Sequence, residues 1–177
     1  MQKQLHSVIR YRSSIFTLSE DRVQIENGSV VTRSIVHHNG GSAILVRKEG
    51  RVLLVRQYRY ALRRDLLEIP AGKIENGEDP SATALRELEE ETGWSCRQLK
   101  PILTMCSTPG FCDEQIHIFE ALDLCRPLQR RPMDDDECIE LQWIPLQEAY
   151  AMIRDGSITD AKTIIALQYA MLNEAQC

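Results

Sequence analysis

Four of the five residues from Glu87 to Glu91 are glutamates, and the base beside them is Arg86. On a helical wheel at about 100° per residue, Glu87, Glu90 and Glu91 share one side, opposite Ser81, Leu85, Leu88 and Thr92 with Ala82 and Ala84 flanking. Glu87 and Glu91 lie one turn apart, a like-charge spacing that costs roughly 0.2–0.5 kcal/mol per pair. They also fall in the last turns of the helix, where the macrodipole favours cations. A solvated acidic face is one explanation. The other is that divalent cations neutralise the cluster, since carboxylate oxygens suit hard ions such as Mg²⁺ or Mn²⁺. A second acidic run, Asp134–Glu137, precedes a strand-like segment.

The elements that must position these groups are partly visible. Asp79 and Pro80 provide an N-cap and a first-turn proline, and Gly93 a left-handed C-cap, framing a helix over Pro80–Thr92. Residues 22–26 and 29–36 alternate around Asn27-Gly28, a pair that supplies the positive φ angles of a tight hairpin turn. Strands are predicted over 42–47, 51–58, 98–106, 114–122 and 140–144. Further helices are predicted over 145–154 and after Asp160. Strands and helices mix without regular βαβ alternation, which points to a mixed sandwich over a doubly wound sheet.

The chain has 177 residues, 43% hydrophobic and 27% charged, with a net charge of -5. That is one ordinary globular domain, with room for a small appendage. An acidic balance argues against sequence-independent nucleic-acid binding. No apolar run reaches the roughly 18 residues of a membrane span, and nothing near the N-terminus resembles a secretory segment. The six cysteines form no C-x-x-C pair and read as reduced thiols of a cytoplasmic protein. Cys112 and Cys138 lie near the residues proposed below as the site, which would make activity oxidation-sensitive. His6, His37, His38 and His117 form no metal-ligand pattern and read as structural; adjacent His37 and His38 on a strand would point to opposite faces.

The segment Gly72-x₅-Glu78-x₇-Arg86-Glu87-Leu88-Glu89-Glu90-Glu91-Thr92-Gly93-Trp94 fills 23 residues. It resembles the Nudix box at every fixed position, with Trp94 where a smaller aliphatic is usual. The resemblance implies an α+β Nudix fold, a mixed β-sheet sandwiched between helices (α/β/α), and hydrolysis of a nucleoside diphosphate linked to another group. It implies Mg²⁺, with Mn²⁺ as the alternative, held by Glu87 and Glu91 with Glu90 as a further or water-mediated ligand. Gly72 would allow a tight backbone turn there, Glu78 would orient Arg86, and Arg86 would position the acids. Gly93 completes the structural part of the box.

Residues outside the box resemble the ADP-ribose pyrophosphatase branch. Val55-Arg56-Gln57-Tyr58-Arg59 precedes Leu67-Glu68-Ile69-Pro70-Ala71-Gly72, and Thr108-Pro109-Gly110 leads to Glu114, starting 15 residues after Gly93. The resemblance implies substrate contacts from Arg59, Glu68, Gly110 and Glu114, and a metal bond from the Ala71 carbonyl. It implies Glu137 as base, with Asp135 as the runner-up, and catalytic parts for Glu90 and Arg86. Residues 155–167 are similar to the closing helix of that branch. Residues 1–40 would then be an N-terminal antiparallel β-hairpin segment that exchanges strands in a homodimer, with Arg33 reaching substrate on the other protomer. Residues 41–177 would be the hydrolase domain. The expected reaction is ADP-ribose and water to AMP and ribose 5-phosphate, with no nucleic-acid or membrane partner. A GDP-sugar or an NADH-type dinucleotide is the alternative substrate, and a non-catalytic ADP-ribose sensor is the other class, which the intact box disfavours.

Overall fold

The computed structural model describes residues 1–127, 129 and 138–174. They divide into two compact units, one of Met1–Gly40 with Cys106–Gln115 and one of Gly41–Met105 with Ile116 onward.

The first unit is a three-stranded antiparallel sheet of β1 (Lys3–Arg12), β2 (Phe16–Gln24) and β3 (Val30–His38), in that order. The hairpin around Asn27-Gly28 forms, but its turn differs from the expected one. Gly28 alone takes the left-handed region (φ 85°), with its N–H donating to Ile25 O at 2.9 Å, while Ile25 N–H donates to Ser29 O at 2.9 Å. A three-residue loop ending on a left-handed glycine replaces the two-residue turn in which both residues are left-handed. β1 was not predicted. Its pairing with β2 shifts register between Gln4 and His6 and again between Ile9 and Tyr11, so no clean period of two marks it. The segment Cys106–Gln115 joins this sheet through a bridge between Val36 and Cys112.

The second unit holds a seven-stranded mixed sheet. Its path is β10 (Ile139–Pro145), β5 (Arg51–Arg59), β4 (Gly41–Lys48), β9 (Gln115–Cys125) and β8 (Ser95–Cys106). β6 (Arg64–Glu68) adds to β5 and β7 (Ala71–Lys73) to β4. The β4–β9 pair is parallel, whereas β10–β5, β5–β6, β4–β5 and β4–β7 are antiparallel. The short strands β6 and β7 escaped sequence reading, because runs this short carry too little alternation.

β4 shows how the layers form. Successive side chains on a strand face opposite ways. Ala43 and Leu45 enter one cluster with Leu146, Ala149 and Tyr150 of α2 (Leu146–Arg154) and Ala166, Leu167 and Ala170 of α3 (Ala161–Glu174). Ile44 and Val46 enter the other with Ala84 and Leu88 of α1 (Pro80–Thr92). The sheet is thus sandwiched between α1 and the α2–α3 pair. Burying each valine, leucine and isoleucine of the two clusters is worth roughly 1.5–3 kcal/mol before entropy is counted. Cys96, Cys106, Cys112, Cys125 and Cys138 are free, and Cys177 lies outside the described residues. Among the described residues no helix is long and apolar enough to cross a membrane.

Candidate active site

The site grows from α1. Asp79 accepts the Ser81 N–H at 2.8 Å, Pro80 opens the helix, and Gly93 closes it at φ 64° with its N–H on Glu89 O at 3.0 Å. These local signals give the helix the bounds read from the sequence. Of the two explanations for the acidic side, a solvated face does not hold for Glu87 and Glu91. Glu87 and Glu91 are themselves buried, at 8% and 4% exposure, while Ser81 and Ala82 are exposed. A wheel records only the helix, and the reason for this burial lies elsewhere, in the packing of α1 on β4 and β7. Ala84 and Leu88 take the hydrophobic part of that contact, and Glu87 and Glu91 meet the backbone of β7.

That meeting is specific. The Ala71 N–H donates to Glu91 Oε2 at 3.1 Å. A β-carbon on Gly72 would land on the carboxylate of Glu87. Gly72 is not among the glycines at positive φ, so the expectation of a tight turn is corrected: this position needs glycine for space. Gly72 pairs with Ser42 in the β4–β7 ladder, whose hydroxyl donates to Pro80 O at 2.7 Å and ties the start of α1 to the sheet.

Arg86 is the hub of the acidic group. Its Nε donates to Glu78 Oε1 at 3.0 Å and its Nη2 to Glu78 Oε2 at 3.1 Å. Nη1 donates to Glu87 Oε1 at 2.6 Å and to Glu90 Oε2 at 2.9 Å, and Nη2 also reaches Lys73 O at 3.2 Å. The Arg86 hydrogen bonds hold the Glu78 carboxyl at about 2 despite the opposing effect of burial, and Glu78 in turn raises Arg86. One planar guanidinium therefore spaces three carboxylates and a carbonyl, which a lysine could not do.

A second group lies at the end of β6. Glu68 is 2% exposed and accepts Arg59 Nε at 2.6 Å and Nη2 at 2.7 Å, a bidentate pair. Lys162 Nζ also donates to Glu68 Oε2 and, at 3.0 Å, to Asp160 Oδ1. Burial pushes Glu68 up, but the Arg59 hydrogen bonds and the Lys162 and Arg59 charges outweigh it and hold the carboxyl at about 2. Arg59 is raised, chiefly by its hydrogen bonds to Glu68, with Glu91 and Asp160 adding to the field. Sequence reading reached Arg59 and Glu68 but missed Lys162, Asp160 and Thr163. The available signal was Asp160 three residues before Thr163, a helix-capping pattern. Its partner, 94 residues away, was invisible.

Arg33, Gly110 and Glu114 belong to the first unit. Arg33 is exposed on β3, opposite Asp21. Gly110 lies in a turn where the N–H groups of Phe111 and Cys112 donate to Thr108 O at 3.2 and 3.0 Å. Glu114 Oε1 lies 3.3 Å from His38 Nδ1, and Asp113 Oδ2 lies 2.6 Å from His37 Nδ1, whose Nε2 is 3.0 Å from Ser19 Oγ. In the second unit His117 Nδ1 meets Thr104 Oγ1 at 3.0 Å. Asp135 and Glu137, the residues expected to act as base, lie outside the described residues.

Among the described residues, no three His, Cys, Asp or Glu side chains converge into a ready-made metal site. The donor set nonetheless fits a hard divalent ion. Glu87, Glu90 and Glu91 sit on adjacent turns of one helix, beside backbone that leaves no room for a β-carbon at Gly72.

Clustered carboxylates on a helix packed against a mixed sheet, spaced by an arginine hub, suit a hydrolase of phosphate anhydrides that works through a divalent ion. The family model for the NUDIX domain matches residues 36–167, and the chain belongs to the Nudix family of hydrolases. It is 42% identical over 166 residues to the methanol dehydrogenase activator of Bacillus methanolicus, covering 93% of this chain and 90% of that one. It is 41% identical, with the same coverage, to the ADP-ribose pyrophosphatase of Bacillus subtilis (strain 168). The fold also matches a solved ADP compounds hydrolase with a TM-score of 0.85, over 96% of this chain and 92% of that one, at 22% identity. Hydrolases of this family generally depend on a divalent metal.

Proposed function

We propose that this chain hydrolyses ADP-ribose to AMP and ribose 5-phosphate with Mg²⁺, for which Mn²⁺ substitutes. The observation that carries the reading is the burial of Glu87 and Glu91 against Ala71 and Gly72, in a chain 41% identical to an ADP-ribose pyrophosphatase. Burying two carboxylates is costly unless something compensates them, and a diphosphate substrate brings its cations to such a place.

Glu87, Glu91 and Glu90 would hold the ion, with the Ala71 carbonyl as a further ligand. Such an ion, when bound, would supply charge that neutralises the diphosphate, polarises a P–O bond and lowers the pKa of a bound water. Arg86, kept in plane by Glu78, fixes the spacing of Glu87 and Glu90. Arg59 binds the substrate through the edge of its guanidinium turned away from Glu68; Gly110 and Glu114 are further substrate-binding residues. Glu137, with Asp135 as the runner-up, takes the proton of the attacking water, a contribution of about 10²–10⁴ in rate. Residues 1–40 serve a cytoplasmic homodimer by strand exchange, which lets Arg33 reach substrate on the other protomer; residues 41–177 are the hydrolase domain.

Product separation after incubation with ADP-ribose, GDP-mannose, NADH and diadenosine polyphosphates, each with Mg²⁺ or Mn²⁺, tests the substrate. AMP and ribose 5-phosphate from ADP-ribose at the highest kcat/KM is the expected result. A higher kcat/KM for GDP-mannose or NADH would replace the substrate assignment. Light scattering that returned a monomer would remove the part given to residues 1–40.

A further inference from the structure

We propose that Lys162 is a positioning residue for substrate binding: it fixes the Glu68 carboxylate, and through Glu68 the plane of the Arg59 guanidinium. The proposal rests on the substrate contact given to Arg59 above.

The geometry is a chain of alternating charge. Arg59 uses Nε and Nη2 on the two oxygens of Glu68, at 2.6 and 2.7 Å. Lys162 donates to the same Oε2 that Nη2 uses, and holds Asp160 Oδ1 at 3.0 Å with the same ammonium. Glu68 and Lys162 are buried at 2% and 9% exposure, whereas the Arg59 side chain is 40% exposed. Among the described residues the Arg59 hydrogen bonds to side chains run from Nε and Nη2, while Glu91 and Asp160 add only to the field on the guanidinium. The buried end of the chain is therefore fixed, and the exposed end carries a donor edge for a ligand.

The same helical turn grips the next residue. Thr163 Oγ1 donates to Asp160 Oδ2 at 2.6 Å and accepts the Ile69 N–H at 2.8 Å. The start of α3 thus clamps Glu68 by Lys162 and Ile69 by Thr163, immediately before Pro70, Ala71 and Gly72. A bidentate pair transmits orientation because both groups are planar. A carboxylate anchored by a third group cannot rotate without breaking that anchor. Lys162 touches neither substrate nor reacting atoms in this scheme; it acts through Glu68.

The test is Lys162→Met, which keeps the length and removes the charge. The expected result is a KM for the hydrolysed substrate raised about tenfold with kcat lowered less than threefold. Calorimetric titration of ADP-ribose in EDTA should show the same weakening without turnover. In an Arg59→Ala background Lys162→Met should cause no further rise in KM, because the route runs through Arg59. An unchanged KM and Kd overturn the proposal, as does an independent loss in the Arg59→Ala background. A fall in melting temperature with wild-type KM would make Lys162 structural only. If Lys162→Met lacks a cooperative melt, Lys162→Gln, which is uncharged and too short to span Glu68 and Asp160 as the ammonium does, is read by the same criteria. If the wild type cleaves GDP-mannose or NADH in preference to ADP-ribose, the substrate assignment fails while Lys162 is judged on the KM for that substrate. A wild-type chain inert towards all of them overturns both statements.

Discussion

Arg86 and Arg59 are both arginines set among carboxylates, and the second unit uses them in opposite ways. Arg59 gives two nitrogens to one buried carboxylate, Glu68. Arg86 divides its donors among Glu78, Glu87, Glu90 and the Lys73 carbonyl. The first arrangement aims a guanidinium, because a bidentate pair defines a plane. The second spaces carboxylates, because a rigid fork holds several acceptors at set separations. One arginine is the object being positioned and the other is the tool. Damage at the Arg86 cluster should therefore appear in kcat, and damage at the Arg59 cluster in KM.

The largest effect is expected at Glu91. Glu91→Gln keeps an oxygen for the Ala71 N–H, so the packing of α1 on β7 survives, while one charge is lost from the proposed ion site. Turnover with saturating Mg²⁺ should fall on the order of 10²–10³-fold, with the melting temperature within a few degrees of wild type. Near wild-type turnover would remove Glu91 from the metal assignment. Gly72→Ala comes next. The added carbon meets the far end of the flexible Glu87 side chain, so the chain still folds, but the carboxylate must move. A displacement of that size costs about 10²-fold in turnover, and steady-state kinetics beside a thermal melt would separate this from simple unfolding. Full activity in the alanine variant would mean that Glu87 can act from another position. Arg86→Lys keeps the charge and loses the fork. A loss of about tenfold in kcat with little change in KM is expected; a rise in KM alone would erase the contrast with Arg59.

Local signals were legible and remote ones were not. Asp79, Pro80 and Gly93 bound α1 through hydrogen bonds and backbone preferences that act within a few residues, so its range could be read directly. The acidic motif was also legible as a motif, since its spacing is linear. What Glu87 and Glu91 touch could not be read, because burial depends on β7, a strand of three residues with no periodicity of its own. The wheel could therefore show that they share a side, but not whether that side is solvated. The Asn27-Gly28 hairpin was visible in its composition, yet its loop length depends on the register of β2 and β3. Lys162 shows the same limit from the other direction. Its segment was recognisable, but the partner that gives the side chain a purpose is 94 residues upstream.

The smallest expected effect concerns the hold of Arg86 on Glu78, and acid tests it. The folded pKa of Glu78 is depressed from 4.5 to about 2 by Arg86. A depressed carboxylate contributes stability above its unfolded pKa and loses it as pH falls towards the folded value, because the unfolded chain binds the proton first. The contribution should be whole near pH 6, shrinking below about 4.5 and gone below about 2. Glu68 follows the same sign over the same window, since its carboxyl is also held at about 2. Wild type alone would therefore blur the two. Glu78→Gln removes one of them and leaves the Arg59 cluster intact. Urea unfolding of both chains at pH 6, 4 and 3 isolates the Glu78 share as a difference. That difference should favour wild type at pH 6 and lose most of its size by pH 3. A difference unchanged across the series would mean that Arg86 does not hold Glu78 ionised, and that the carboxylates on α1 are spaced by packing alone.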